Sequence, residues 1–222
     1  GDLVVNDSGA ESSLHYAADI TRTIPVGGRF SERQREIYEI VLAANVDATD
    51  AIRPGIEFRA VHQLACERIA QGLIDVGLMK GNAQEAVDAN AHALFFPHGI
   101  GHMLGLDVHD MEPLGEDYVG YTDEIRRDPR FGWRSLRLAK AVEPGVVVTV
   151  EPGIYFIPEL IDHWEAERTC EAFIDYERLR AYRDFGGVRI EDDLLVTEGG
   201  HRVLGPPIAK TAADVEAACS EE

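Results

Sequence analysis

Val146-Val147-Val148-Thr149-Val150-Glu151-Pro152-Gly153 is a β-branched run that stops at a carboxylate and a Pro-Gly turn. Val and Thr fit a pleated, packed surface, so the run reads as a buried strand. Glu151 then emerges where that strand leaves the core. The same coupling of strand and displayed carboxylate recurs elsewhere. Leu3 to Asp7 reads as a strand ending on Asp7, Leu14 to Ile24 as a second carrying Asp19, and Val188 to Val196 as another carrying Glu191. The turn-rich Ser8-Gly9-Ala10-Glu11-Ser12-Ser13 segment joins the first two as a hairpin. Side chains two apart share a strand face. Asp19 therefore shares one with Thr21 and Thr23, and Glu191 shares one with Arg189 and Asp193. Arg189 beside Glu191 is expected to keep that carboxylate ionised.

Between the strands lie helical patterns. Ser31 stands three residues before Gln34, a capping-box start, and Ile37, Val41, Ala44 and Ala48 follow at helical spacing until Arg53-Pro54-Gly55. Glu57 to Val76 reads as a second helix, with Phe58, Val61, Ala65, Ile69 and Leu73 on one stripe. Phe95 to Asp110 is rich in Gly and His with strand-like edges. Met111 to Lys140 reads as long loops forming a rim, Pro158 to Asp184 as a charged, partly helical insertion, and Thr211 as the cap of a short final helix. Strand pairs and helix pairs without a βαβ rhythm predict an α+β fold.

The 222 residues carry 45% hydrophobic and 27% charged residues, ordinary for a globular protein. A formal charge of −19 argues against nucleic acid and anionic membrane surfaces as partners. No apolar run approaches the length of a membrane span. Cys66, Cys170 and Cys219 are too few and scattered for a disulfide framework, and predict reduced thiols in a cytoplasmic protein.

Asp7, Asp19, Glu151 and Glu191, with an imidazole from His98-Gly99-Ile100-Gly101-His102, form a hard, oxygen-rich donor set suited to two divalent cations. Like charges about 4 Å apart repel by roughly 4 kcal/mol even at an effective dielectric near 20, so such a cluster requires cations. Each residue also has a plainer reading. Asp7 alone fits a turn, Asp19 an exposed edge, and Glu151 a solvated turn. Glu191 with Arg189 fits a surface ion pair, and His98, His102 and His109 fit hydrogen-bonded loop residues. Convergence in space separates the two readings.

Asp7-Ser8-Gly9-Ala10-Glu11, Ala18-Asp19-Ile20-Thr21-Arg22-Thr23, His98 to His102, Val150-Glu151-Pro152-Gly153-Ile154-Tyr155 and Val188 to Asp193 resemble the five metal-ligand motifs of the pita-bread metallopeptidases, in the aminopeptidase P and prolidase branch. The resemblance covers nearly the whole chain, with an Asp7–Asp19 turn one residue longer than the usual form. It implies a pita-bread fold of two pseudo-twofold related αβ halves around a dinuclear metal site. Asp7 would hold one metal, Asp19 and Glu191 would bridge, and His102 and Glu151 would bind the other.

The implied activity is exopeptidase hydrolysis of the Xaa-Pro bond by a hydroxide held between the metals, with Glu151 as general base. His98 and His109 match substrate- and proton-handling histidines, Arg137 an arginine that grips the substrate carboxylate, and Arg189 an arginine near the site. Ligand hardness favours Mn²⁺, with Co²⁺, Zn²⁺ or iron also compatible. The substrate would be a peptide or dipeptide with proline second. The chain, residues 1–222, is expected to be a C-terminal catalytic domain, incomplete at its N-terminus and lacking an N-terminal domain, from a protein that is a homodimer at full length. The Arg137 match and the Pro158–Asp184 insertion tilt the reading towards a dipeptidase over a longer-peptide enzyme. A peptide- or protein-binding module on the same scaffold and a metal-free hydrolase of the creatinase kind are the rivals. The intact donor set disfavours both.

Overall fold

The computed structural model describes residues 1–220. In chain order the elements are β1 (Leu3–Ser8), β2 (Ile20–Pro25), α1 (Glu32–Ala51), α2 (Phe58–Asp75), α3 (Ala83–Asp88), α4 (Glu116–Gly120), β3 (Val147–Val150), β4 (Gly153–Phe156), α5 (Pro158–Glu167), α6 (Tyr176–Leu179), β5 (Gly186–Arg189), β6 (Asp192–Thr197), β7 (Gly200–Val203) and α7 (Ala212–Ala218). The strand pairs β1–β2, β3–β6, β6–β7 and β4–β5 are all antiparallel, as an α+β chain requires.

Helix α1 starts at the predicted capping box, with the Gln34 N–H bonded to the Ser31 side chain and the Gln34 side chain bonded back to Ser31. The two predicted stripes, Ile37, Val41, Ala44 and Ala48 on α1 and Phe58, Val61, Ala65, Ile69 and Leu73 on α2, are all 0% exposed. Their burial is the main hydrophobic drive for the helical layer, at about 25 cal/mol per Å² of apolar surface removed from water. That layer also packs against the strand ends, since α1 touches β3, β4 and β5.

Two strand predictions are corrected. The second strand begins at Ile20, not Leu14, because Ser12 Oγ accepts the N–H groups of Leu14 and Tyr16 while His15 takes a left-handed conformation. Such local side-chain bonds offer the backbone an alternative to the sheet. Asp7 accordingly lies opposite Thr21, and Asp19 sits just before the strand. The predicted Val188–Val196 strand is broken at Ile190-Glu191. There the Ile190 N–H bonds to the Pro152 carbonyl and the Glu191 N–H to the Thr21 carbonyl, so the chain leaves β4 and joins β3. The two-residue alternation does not survive that change of partner.

Residues 100–104 run along the open edge of β3. The Thr149 N–H bonds to the His102 carbonyl at 2.9 Å, the Glu151 N–H to the Ile100 carbonyl at 2.7 Å, and the Leu104 N–H to the Val147 carbonyl at 3.1 Å. Gly101 makes this approach feasible, because a Cβ there would lie 2.1 Å from the Thr149 carbonyl oxygen. Gly101→Ala is expected to push the His102 segment off β3, costing about 1–3 kcal/mol of overpacking strain and lowering the thermal midpoint. Thermal denaturation alongside metal titration checks both effects.

Candidate metal centre

Glu151 follows the last residue of β3, and Glu191 occupies the break between β5 and β6. One buried side chain ties these two points together. Asn45 of α1 donates through Nδ2 to the carbonyls of Val150 at 3.1 Å and Ile190 at 3.3 Å, the residues immediately before the two glutamates. Its oxygen accepts from Lys210 Nζ at 3.0 Å, and Lys210 also pairs with Asp192 at 2.8 Å. Arg22 completes the frame by donating to the Glu191 carbonyl at 2.7 Å and to Asp192 at 2.6 Å.

His102 points Nε2 at the carboxylates. Its Nδ1–H donates to the Met103 carbonyl at 2.9 Å, which fixes the tautomer and leaves Nε2 free. Nε2 then lies 3.5 Å from Asp19 Oδ2 and 3.6 Å from Glu151 Oε1. Ligand atoms of Asp19, His102 and Glu191 all fall within 4.8 Å of one another. Thr21 donates its hydroxyl to Glu191 Oε2 at 2.6 Å, and Asp193 Oδ2 accepts the Asp19 N–H at 3.1 Å. Glu191 Oε1 and Asp193 Oδ1 are buried and have no partner.

Arg189 lies in the centre but does not pair with Glu191. It reaches Asp7 Oδ2 at 2.5 Å, the Tyr155 hydroxyl at 3.0 Å and Thr21 Oγ1 at 3.1 Å. Tyr155 in turn donates to His98 Nε2 at 2.9 Å, while His98 Nδ1–H is taken by the Gly99 carbonyl at 2.8 Å. The rings of His102 and His109 meet edge-on at 4.4 Å between centroids. Arg137 shares a cleft of about 390 Å³ with Asp7, His98, His109, Glu151 and Arg189. Its Nη1 is already bound to Glu112 at 2.6 Å and Glu116 at 3.0 Å.

All nine residues singled out by sequence thus reach one locality. The sequence model of metallopeptidase family M24 matches residues 1–198. The chain belongs to that family. It is 40% identical over 217 residues to the Xaa-Pro dipeptidase of Mus musculus, covering 98% of this chain and 42% of the relative. It is 43% identical over 205 residues to a probable Xaa-Pro aminopeptidase of Verticillium alfalfae, covering 92% of this chain and 42% of the relative. Among solved structures, zinc-substituted Escherichia coli aminopeptidase P in complex with product matches with a TM-score of 0.75 at 36% identity, over 100% of this chain and 42% of that one. The chain spans about two fifths of the length of these relatives.

The M24 chain's electrostatics test whether divalent cations fit. Burial drives the Glu191 carboxyl up to about 9, reinforced by the charges of Glu151, Asp19 and Asp7. Burial likewise lifts Glu151 to about 7, against the opposing charges of His102 and Arg189. The His102 imidazole is lowered by burial, but its Asp19 and Met103 bonds and the Glu151 charge outweigh that and raise it overall. The expectation that Arg189 keeps Glu191 ionised is therefore not met, because the guanidinium serves Asp7 and Tyr155. A cluster that retains protons and leaves carboxylate oxygens orphaned in its interior fits cations well. Four ligand carboxylates would balance two divalent ions in charge. Sequence reasoning missed Asn45, Tyr155 and Glu112. Tyr155, four residues after Glu151, and Thr21, two after Asp19, lay within quoted motifs, whereas no local pattern points to Asn45.

Two outcomes follow. Asn45→Ala orphans the Val150 and Ile190 carbonyls and should cost about 1–3 kcal/mol in urea denaturation while weakening metal uptake. Without metal, the folded state binds more protons than the unfolded chain once the Glu side chains of the latter ionise near about 4.3. Stability of the metal-free protein should therefore fall as pH rises from about 4.5 to about 9. Added divalent cation should raise the thermal midpoint most at the alkaline end, where it replaces the lost protons.

Proposed function

We propose that this chain is the C-terminal catalytic domain of a metal-dependent exopeptidase that hydrolyses the bond between an N-terminal residue and a following proline. The observation that carries the reading is the meeting of Asp19, His102, Glu151 and Glu191 beside Asp7 at the head of one cleft. The names of the relatives, Xaa-Pro dipeptidase and Xaa-Pro aminopeptidase, support the choice of bond. Asp7, Asp19, His102, Glu151 and Glu191 would hold two divalent ions, Mn²⁺ by the hardness of the donors. Bound there, they supply Lewis acidity that polarises a carbonyl, acidifies water and anchors a free amine.

Glu151 accepts the proton of the attacking water at a carboxylate oxygen and returns it to the proline nitrogen as the bond breaks. Of the two histidines assigned to substrate, His109 is the better oxyanion donor. Both His98 nitrogens are engaged, and burial lowers its imidazole to about 4, so it stays neutral and orders the cleft wall through Tyr155 and Arg189. Proline presents no N–H, so the cleft recognises ring shape. Arg137 is the carboxylate grip, and a dipeptide's terminal carboxylate competes there with Glu112 and Glu116. The dipeptidase reading therefore requires Arg137 to exchange Glu112 and Glu116 for the substrate carboxylate.

We place the protein in the cytoplasm on the strength of its free cysteines; no described helix is long and apolar enough to cross a membrane. That the longer protein is a homodimer is part of the same proposal.

The test is turnover of a free Xaa-Pro dipeptide and of an extended Xaa-Pro peptide by the full-length protein with manganese, before and after Glu151→Gln. The variant should lose roughly 10²–10⁴-fold in kcat. Unchanged turnover removes the base assignment, and preference for the extended peptide removes the dipeptidase one.

A further inference from the structure

A second group of potential ligands lies apart from the carboxylates. His62 and Cys66 stand one turn apart on the buried face of α2, and His92 comes from the single helical turn Ala91–Leu94. All three are essentially unexposed, at 1%, 0% and 0%. One donor atom from each lies within 4.8 Å of the other two, and Cys66 Sγ is 3.6 Å from His62 Nε2. Neither nitrogen of His92 has a hydrogen-bond partner. A fully buried imidazole with both nitrogens orphaned costs free energy unless something binds it.

The surroundings narrow what could bind. Trp133 packs edge-on against His62 at 4.7 Å and His92 at 6.0 Å, and Phe96 tilts over His62 at 5.4 Å. Arg130 lies 5.2 Å over the Trp133 ring. No carboxylate belongs to the group among the described residues. Two imidazoles and a thiolate are soft and borderline donors, unlike the oxygen set of the peptidase centre. Metal–ligand bonds of about 2.0–2.3 Å put three donors about 3.6 Å apart around a trigonal ion, so the group needs only a small contraction.

We propose that His62, Cys66 and His92 form a three-coordinate site for a monovalent soft cation, Cu⁺, separate from the dinuclear centre. Cu⁺ with one thiolate is neutral, which a dry aromatic pocket tolerates. Zn²⁺ would leave a net positive charge in an apolar pocket and lacks a fourth protein ligand. Burial holds the Cys66 thiol protonated and lowers His92 to about 3, so both imidazoles have lone pairs to offer. On binding, the Cys66 S–H bond breaks, Sγ bonds the ion, and the proton leaves to solvent. Trp133 also lines a cleft of about 670 Å³ with Gln63 and Arg130, on the other side of the indole from the group.

The test is anaerobic competition for Cu⁺ between the manganese-loaded full-length protein and a chromogenic cuprous chelator. The wild type should withdraw one equivalent. Cys66→Ser and His92→Leu should each weaken uptake at least 100-fold, and X-ray absorption of the loaded wild type should show one sulfur and two nitrogens around copper. His92→Leu should also raise the thermal midpoint of the copper-free protein, which separates loss of a ligand from loss of the fold. The proposal is overturned if the chelator keeps all the copper, if Cys66→Ser withdraws it as well as wild type, if the absorption shows no sulfur, or if Zn²⁺ displaces Cu⁺.

Discussion

Several carboxylates must be kept close together in a half-dry cleft, and nothing in their own chemistry favours it. Repulsion between neighbours a few ångströms apart is of order several kcal/mol unless protons or cations intervene. The fold answers by fixing the backbone beneath the charges, not by pairing each charge. Asn45 holds the carbonyls before Glu151 and Glu191, Arg22 holds the carbonyl of Glu191, and β3 holds His102 through Thr149. The carboxylate oxygens themselves are left free to meet an ion.

That arrangement depends on the change of strand partner at Ile190-Glu191. If β5 and β6 formed one uninterrupted strand, Glu191 would follow the alternation of Arg189 and Asp193. The break instead bonds the Glu191 N–H to β2 and brings its side chain beneath the Thr21 hydroxyl. Arg189 is thereby released to join Asp7 and Tyr155. The guanidinium so connects the β1 end of the cleft to the His98 wall, a link between distant chain segments that a single strand could not make.

What could be read from the chain follows from how local each signal is. The α1 capping box, the stripes of α1 and α2, the Val147–Val150 strand and the Thr211 cap are set by neighbours within a few residues, and all were legible. That the nine residues would meet in space was expected from the ordered motifs taken together and their resemblance to the family, not from any one residue, since each alone had a plainer reading. The partner change at Ile190 was not legible, since it is decided by the carbonyls of Pro152 and Thr21, far away in sequence. Asn45 was invisible for the same reason: within a helix of ordinary pattern, a polar residue on the buried face reads only as an anomaly until its partners are known.

Buried polar groups divide into two kinds in this molecule. Asp192 is closed off by Arg22 and Lys210, every charge answered, and its role is to brace the fold. The orphans are elsewhere. Of eight buried side-chain polar atoms without a partner among the described residues, three lie at the carboxylate cleft, on Glu112, Glu191 and Asp193, and three at the aromatic pocket, on His92 and Trp133. Unpaired buried groups each cost about 1–3 kcal/mol, so six of them in two places are too expensive to be incidental packing. At the cleft the donors are oxygens and the deficit is positive charge, which divalent cations supply. At the pocket a His92 lone pair lies beside a thiol in an apolar wall, where added charge is penalised and the soft monovalent ion proposed above would answer that lone pair without it; the Trp133 N–H, a donor, is not answered by a cation. Were both proposed sites loaded, the difference in donor hardness would keep them from competing for one metal.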